Sequence, residues 1–434
     1  MKKLVIVLSI LLALMMGVLA ARHFERAPEA LLMAAARSAG DAVPPTAPEP
    51  EPAPAPEPGQ APKRPETEPE VLLDDASIRA EIERIAEKYS ATGIQAAVIC
   101  GGRVAGSYAW GWATAGTDPM TTEHKIRVAS VSKVIVAMAA MLLREDGTVD
   151  LDGNVGDYWG VNAVNPNYPE TSVTPRMVLN HTSTLLDYDF FDTSSGELRE
   201  LLTYGYTEAE PGRASSWLYN NFAFGALGAT LEVAAGQTLD ELLRGKLFDA
   251  MDIDASFAGG DLEDPALVAT LYRGNTVEFA AERQQSLHLD PTPGENADFF
   301  PGGLTISAGD LAKLVALLAN DGVYEGKRLL SADSVAQMEA CGRQPLADGS
   351  FQAYPLRYIP NIYGRAGVYY HPGTAYGVNS CISYDPQTGD GVVVITTGVS
   401  DGADRYELYR ECDEINQYVY GTLSRAIRIY DRED

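Results

Sequence analysis

Basic charge and cysteine are what this sequence is short of. Lysine and arginine total 33 against 60 aspartates and glutamates, a formal net charge of −27. Nucleic acid is held by basic faces, so it is not an expected partner. Four cysteines, Cys100, Cys341, Cys381 and Cys412, are too few for a disulfide scaffold in 434 residues. Their spacing assigns no pairing, and Cys100 and Cys381 sit in apolar runs where buried thiols are equally expected. Five histidines occur with no His-Glu-x-x-His and no Cys-x-x-Cys, so neither a metal site nor a cofactor is expected.

Hydrophobic residues make up 46% of the chain, enough for a sizeable core. Met1-Lys2-Lys3 precedes an apolar run, Leu4 to Ala21, broken only by Ser9 and Gly17. A charged start and an apolar stretch read as an export signal, with Val18-Leu19-Ala20 as an acceptable cleavage site. The run is also near the lower length for a membrane span. Residues 1–21 are therefore expected to be a signal peptide or a membrane anchor, the only expected contact with a membrane. Residues 22–70 follow as a stalk, with Pro alternating with Glu or Ala from Pro48 to Pro58. Proline keeps such a segment extended, its glutamates repel, and it has little apolar surface to bury. The folded domain is expected over 71–434, on the outer side of the membrane. Its oligomeric state is not legible.

Asp75 to Tyr89 puts Ile78, Ile82 and Ile85 on one helical face. Gln95 to Cys100 and Arg103 to Trp112 flank Gly101-Gly102 as a hairpin. Val134 to Leu143 is apolar enough for a buried helix closed by Gly147. Residues 150–300 are rich in loops and short helices and read as a mostly helical subdomain. Beyond them Tyr369 to His371, Gly377 to Tyr384 and Gly391 to Thr397 read as strands, and Ala403 to Ile429 as one long closing helix. Short turns between strands predict an antiparallel sheet flanked by the N- and C-terminal helices, an α+β fold.

Three stretches carry chemistry. Ser130-Val131-Ser132-Lys133 places a hydroxyl and an amine three residues apart at a helix start, where side chains share a face. A lysine with a lowered pKa can take the serine proton, and the free N–H groups of the turn favour an oxyanion. Alone the motif is weak, since about one Ser-x-x-Lys is expected by chance in a chain of this length. Tyr219-Asn220-Asn221 places a phenol and an amide two apart before a Gly/Ala-rich helix. Near cations the phenol of Tyr219 can lose part of its proton and shuttle it, and Asn221 can bind an ammonium or a substrate amide. The plain alternative is a packed aromatic and an N-cap asparagine. His371-Pro372-Gly373-Thr374 reads as a strand that an acyl group can approach closely at Gly373. The N–H of Thr374 is then a second oxyanion donor and His371 a further donor near the carbonyl.

In order and spacing, Ser130-x-x-Lys133, Tyr219-x-Asn221 and His371-x-Gly373 resemble the penicillin-recognising serine hydrolases. The similarity is to the class C β-lactamase-like branch, with its D-Ala-D-Ala carboxypeptidases, D-aminopeptidases and esterases. Thr174 to Ser183 and Pro301 to Ser307 resemble the family as well, so the likeness runs from Ile94 to about Gly398. It implies a β-lactamase/transpeptidase-like fold and an acyl-enzyme on Ser130, with Lys133 and Tyr219 relaying protons and no cofactor. The implied substrate is a small molecule or a cell-wall D-peptide. Two departures stand out. His371 occupies a position where class C β-lactamases have lysine, which points away from true β-lactamase activity. Thr184-Leu185-Leu186 stands where the family usually has glycine. With histidine in the third motif, a substrate carboxylate needs another cation, and Arg365 is the expected one, with Arg357 next. The rival readings are an esterase or β-lactamase with the same site, and a non-catalytic binding protein with a relic site.

Overall fold

A computed structural model describes residues 70–71, 73–188, 194–400, 402–403, 405–425 and 428–429. The expected signal segment, and the expected stalk up to residue 69, lie outside the described residues. The elements that position the site are α1 (Asp75–Tyr89), β1 (Gly93–Cys100), β2 (Arg103–Thr114), β3 (Asp118–Pro119), α2 (Ser132–Glu145), α3 (Asn221–Ala235) and α4 (Ala308–Ala319). They continue with β4 (Phe351–Gln352), β5 (Arg357–Pro360), β6 (Gly367–Ala375), β7 (Val378–Tyr384), β8 (Gly391–Thr397) and α5 (Arg410–Arg425).

The eight strands form one antiparallel sheet in the order β4-β5-β6-β7-β8-β1-β2-β3. Its central strands are buried on both faces, which explains why they read as continuous apolar runs. Alternation assigns the faces. Ala96, Val98, Val392 and Val394 join Ile78, Ile82, Ile415 and Val419 of α1 and α5. Ala97, Ile99, Val393 and Ile395 join α2 and α4 on the opposite face. Every residue of α2 from Ser132 to Leu143 is buried, as an all-round apolar helix requires. Between α2 and α4 the described residues form short helices joined by long loops, with a two-stranded hairpin at Leu271–Arg273 and Thr276–Phe279.

The closing helix is shorter than expected, beginning at Arg410 instead of Ala403. Ahead of it Tyr406 and Glu407 take φ of +70° and +57°, and Ala403 bridges to Tyr409. Left-handed residues cannot continue an α-helix, so this segment folds as a separate turn. Cys341, Cys381 and Cys412 are thiols, the last two buried. Among the described residues no helix is long and apolar enough to cross a membrane.

Candidate active site

The site grows from a clamped turn. Ser130 lies in a 3₁₀ turn, Ala129–Val131, that feeds α2, with Ala129 left-handed at φ +49°. Ser132 fixes this turn from inside. Its Oγ donates to the Ala129 carbonyl at 2.7 Å and accepts the Leu304 N–H at 3.0 Å. Behind it, the Ser380 hydroxyl on β7 donates to the Val128 carbonyl at 2.7 Å. The nucleophile is thus tied to β7 and to the segment that leads into the short strand Thr305–Ile306.

Lys133 is completely buried. Its Nζ lies 2.8 Å from Asn221 Oδ1, 2.7 Å from the Pro301 carbonyl and 3.2 Å from Ser130 Oγ. Two of these partners can only accept. A neutral amine has two N–H bonds to give them, which leaves its lone pair facing the serine hydroxyl. Burial pushes the Lys133 pKa down to about 7, with the Asp187 carboxylate opposing. Asn221 is free for this task because its neighbour does the capping. Asn220 Oδ1 accepts the Ala223 N–H at 2.6 Å, and Asp187 Oδ1 takes the N–H groups of Asn221 and Phe222, each at 2.9 Å.

Tyr219 lines the cleft beside Ser130, close enough for the serine hydroxyl to act on its phenol, and its ring centre lies 5.0 Å from Lys133 Nζ. The expected easy loss of its proton is corrected: burial raises its pKa above that of a free phenol, outweighing the nearby Arg357. Tyr219 therefore rests as a phenol, and Lys133 is the group able to accept a proton near neutrality. His181 packs behind it with ring centres 4.6 Å apart, accepting the Asn220 N–H on Nδ1. Burial holds its pKa well below the ordinary histidine value.

The third stretch lies on β6. The last β5–β6 pair is Arg357 with Tyr370, so from His371 to Ala375 that edge of the strand is unpaired. A side chain at Gly373 would stand 2.7 Å from the Val128 carbonyl oxygen and 3.1 Å from the Ser130 nitrogen. Glycine is required there for the strand to lie against the nucleophile turn. Thr374 lines the cleft, with its hydroxyl bonded to Asn379 Oδ1 at 3.0 Å. His371 is not a donor to the cleft. Its Nδ1 lies 2.7 Å from the Pro372 carbonyl, which can only accept, so Nε2 is left as an acceptor. Burial, then Lys133 and Arg357, lower its pKa to about 3, so it is neutral.

Arg365 is corrected more sharply. Its guanidinium is 3.5 Å from Asp385 and 3.0 Å from Asp390, lies over the Tyr420 ring, and is absent from the cleft lining. Arg357 is the arginine beside His371, lining a cleft of about 600 Å³ that Ser130, Tyr219 and Thr374 share. It pairs with Glu407 at 3.0 Å and more loosely with Asp348 at 3.7 Å. Arg127, Asp187, Asp298 and Glu407 also line the cleft and carried no assignment from sequence. Arg127, three residues before Ser130, and Asp187, next to the unusual Thr184–Leu186 segment, could have been flagged by position. Thr184 itself takes φ +60°, a conformation glycine adopts freely, held by the Asn165 amide at 3.1 Å.

A buried lysine amine aimed at a serine, with a phenol beside both in the same cleft, defines a serine hydrolase that works without a third catalytic carboxylate. The family model described as Beta-lactamase matches residues 78–415, and the chain belongs to that family. Penicillin-binding protein 4 of Amycolatopsis lactamdurans is 28% identical over 306 residues, spanning 67% of this chain and 77% of that protein. Esterase/beta-lactamase LipL of Mycobacterium tuberculosis is 26% identical over 314 residues, spanning 64% and 71%. The octameric penicillin-binding protein homologue from Pyrococcus abyssi superposes with a TM-score of 0.63 at 21% identity, covering 83% of this chain and 79% of its own.

Proposed function

We propose that this enzyme is an extracytoplasmic D-peptide hydrolase of the D-Ala-D-Ala carboxypeptidase kind, with an acyl-enzyme on Ser130. The observation that carries the mechanism is the two-acceptor clasp on Lys133, Asn221 Oδ1 and the Pro301 carbonyl, which turns a lone pair to the hydroxyl. Ser130 attacks the scissile carbonyl as Lys133 takes its proton. The N–H groups of Ser130 and Thr374 hold the oxyanion across the Gly373 contact. Tyr219 passes the proton to the leaving amine, and the same groups then activate water against the acyl-enzyme. Lys133 and Tyr219 act as one relay.

The substrate reading rests on Arg357. A peptide ending in D-Ala leaves with a carboxylate that needs a cation, and neutral His371 cannot supply one. Arg357, 3% exposed and open to the cleft, offers a planar fork beside it. The apolar start, the stalk and the penicillin-binding relative support a wall-facing location. An esterase reading is favoured by one observation: Glu407 already neutralises Arg357. Arg357→Ala separates the two. The D-peptidase reading expects a loss of kcat/KM at least tenfold larger for a D-Ala-D-Ala peptide than for p-nitrophenyl acetate. Equal losses would put the esterase first.

A further inference from the structure

Arg127 and Arg357 stand at opposite ends of the cleft. Arg357 is paired in register with Tyr370, at the start of the open edge of β6. Arg127 lies over the ring of Tyr376, just past the end of β6, at 4.8 Å. Those ends are roughly 15–20 Å apart at about 3.3 Å per residue. Gly373, the point of contact with Ser130, lies between them. A substrate extended along this edge therefore has one half near each arginine. Tyr219 is on the Arg357 side, since Arg357 acts on its phenol electrostatically and lies over the neighbouring Trp217 ring. Under the proposed function, the leaving group departs toward Tyr219, so the acyl half lies toward Arg127.

Arg127 is built to hold something. It comes from a two-residue strand, Ile126–Arg127, paired with Thr305–Ile306, which fixes its backbone. It is 8% exposed, and its Nε donates to the Gly302 carbonyl at 2.9 Å. Phe279 and Tyr376 supply ring faces at 5.7 and 4.8 Å. Among the described residues no carboxylate stands within ion-pair distance. Asp298 also lines the cleft and acts on Arg127 electrostatically, without an ion pair to it. Among the described residues its terminal guanidinium nitrogens, unlike those of Arg357 and Arg365, have no acceptor, and Arg127 lines the cleft. A desolvated guanidinium with its fork open is a site for a carboxylate.

We propose that Arg127 binds a carboxylate on the acyl half of the substrate, so that preferred substrates carry negative charge on both sides of the scissile bond. The chemical class is an acidic D-peptide, with a carboxyl-bearing residue or side chain on the acyl side.

The test uses p-nitrophenyl half-esters of dicarboxylic acids from succinate to pimelate, each against the neutral ester of matching chain length. These have no carboxylate on the leaving group, so the result does not depend on the D-peptide reading. Wild type is expected to favour at least one half-ester over its neutral partner by tenfold or more in kcat/KM. Arg127→Gln should bring that ratio close to one, and Arg127→Lys should retain part of it, since an ammonium keeps the charge without the fork. Fluorophosphonate labelling of Ser130 and a melting curve report whether each variant is folded; should the glutamine variant not fold, the lysine variant must still show a reduced ratio. No half-ester preference in wild type, or a preference that persists undiminished in the folded variants, overturns the proposal. D-Ala-D-Ala peptides left uncut while the half-ester preference follows Arg127 would overturn the D-peptide reading and leave this one standing.

Discussion

The floor of the cleft and its rim are built by opposite rules. On the floor, Lys133 is fully buried, and each contact of its amine is to an atom held by a different element: the Ser130 turn, the first residue of α3, and the Pro301 loop. On the rim, Arg357 is held by Glu407, which is 61% exposed and sits in a left-handed turn. The floor sets the protonation state of a base by removing water. The rim sets a charge that a ligand can compete for, because Glu407, the exposed half of the pair, can turn to water when a ligand carboxylate takes its place on the buried Arg357. Chemistry is thereby insulated from specificity, and substitutions should separate the two.

The largest effect is expected on the floor. Ser130→Ala should abolish covalent labelling and lower turnover by orders of magnitude with the fold intact, because the hydroxyl carries the chemistry and alanine suits the turn into α2. Mass spectrometry of an inhibitor adduct checks it, and a label found on another residue would move the nucleophile. A smaller effect, of another kind, is expected at Arg365. Arg365→Ala leaves Asp385 and Asp390 buried without their cation, which should cost about 3–5 kcal/mol of stability. Denaturant unfolding measures this. The ratio of peptide to ester turnover should stay put, and a change in it would return Arg365 to the substrate. The smallest effect is expected at the rim. Glu407→Gln frees Arg357 from its internal partner and should lower KM for a D-Ala-D-Ala peptide a few-fold, with little change for p-nitrophenyl acetate. A raised KM would mean that Glu407 helps to hold the substrate.

Features set by near neighbours were legible in sequence. Ser130 and Lys133 meet because one helical turn joins them, and Gly373 was recognisable as a point of close approach. The hairpin and the apolar strands were legible because alternation and a diglycine turn are local. What escaped depends on distant partners or on burial. Arg365 and Arg357 look alike in sequence; what separates them is Asp385 and Asp390, in a turn some twenty residues on. His371 became an acceptor through the carbonyl of Pro372, a backbone orientation that composition does not reveal. Tyr219 keeps its proton because desolvation exceeds the pull of nearby cations. The turn at Arg405–Glu407 carries no glycine or proline to announce that the closing helix has not yet begun.

The central claim is that neutral Lys133 is the base for Ser130. Its pKa is lowered to about 7 from 10.5, so the amine is charged and useless as a base below that value and competent above it. The same shift means that the unfolded chain holds this proton up to about 10.5, so the lysine's cost to stability falls away as pH rises from 7 to 10.5. The pH dependence of the second-order acylation rate, measured on the free enzyme with a non-ionising active ester, reads the base directly. An acidic limb with a midpoint near 7 that persists in Tyr219→Phe is the predicted result. A flat profile across that range, or a limb that disappears with Tyr219, would contradict it.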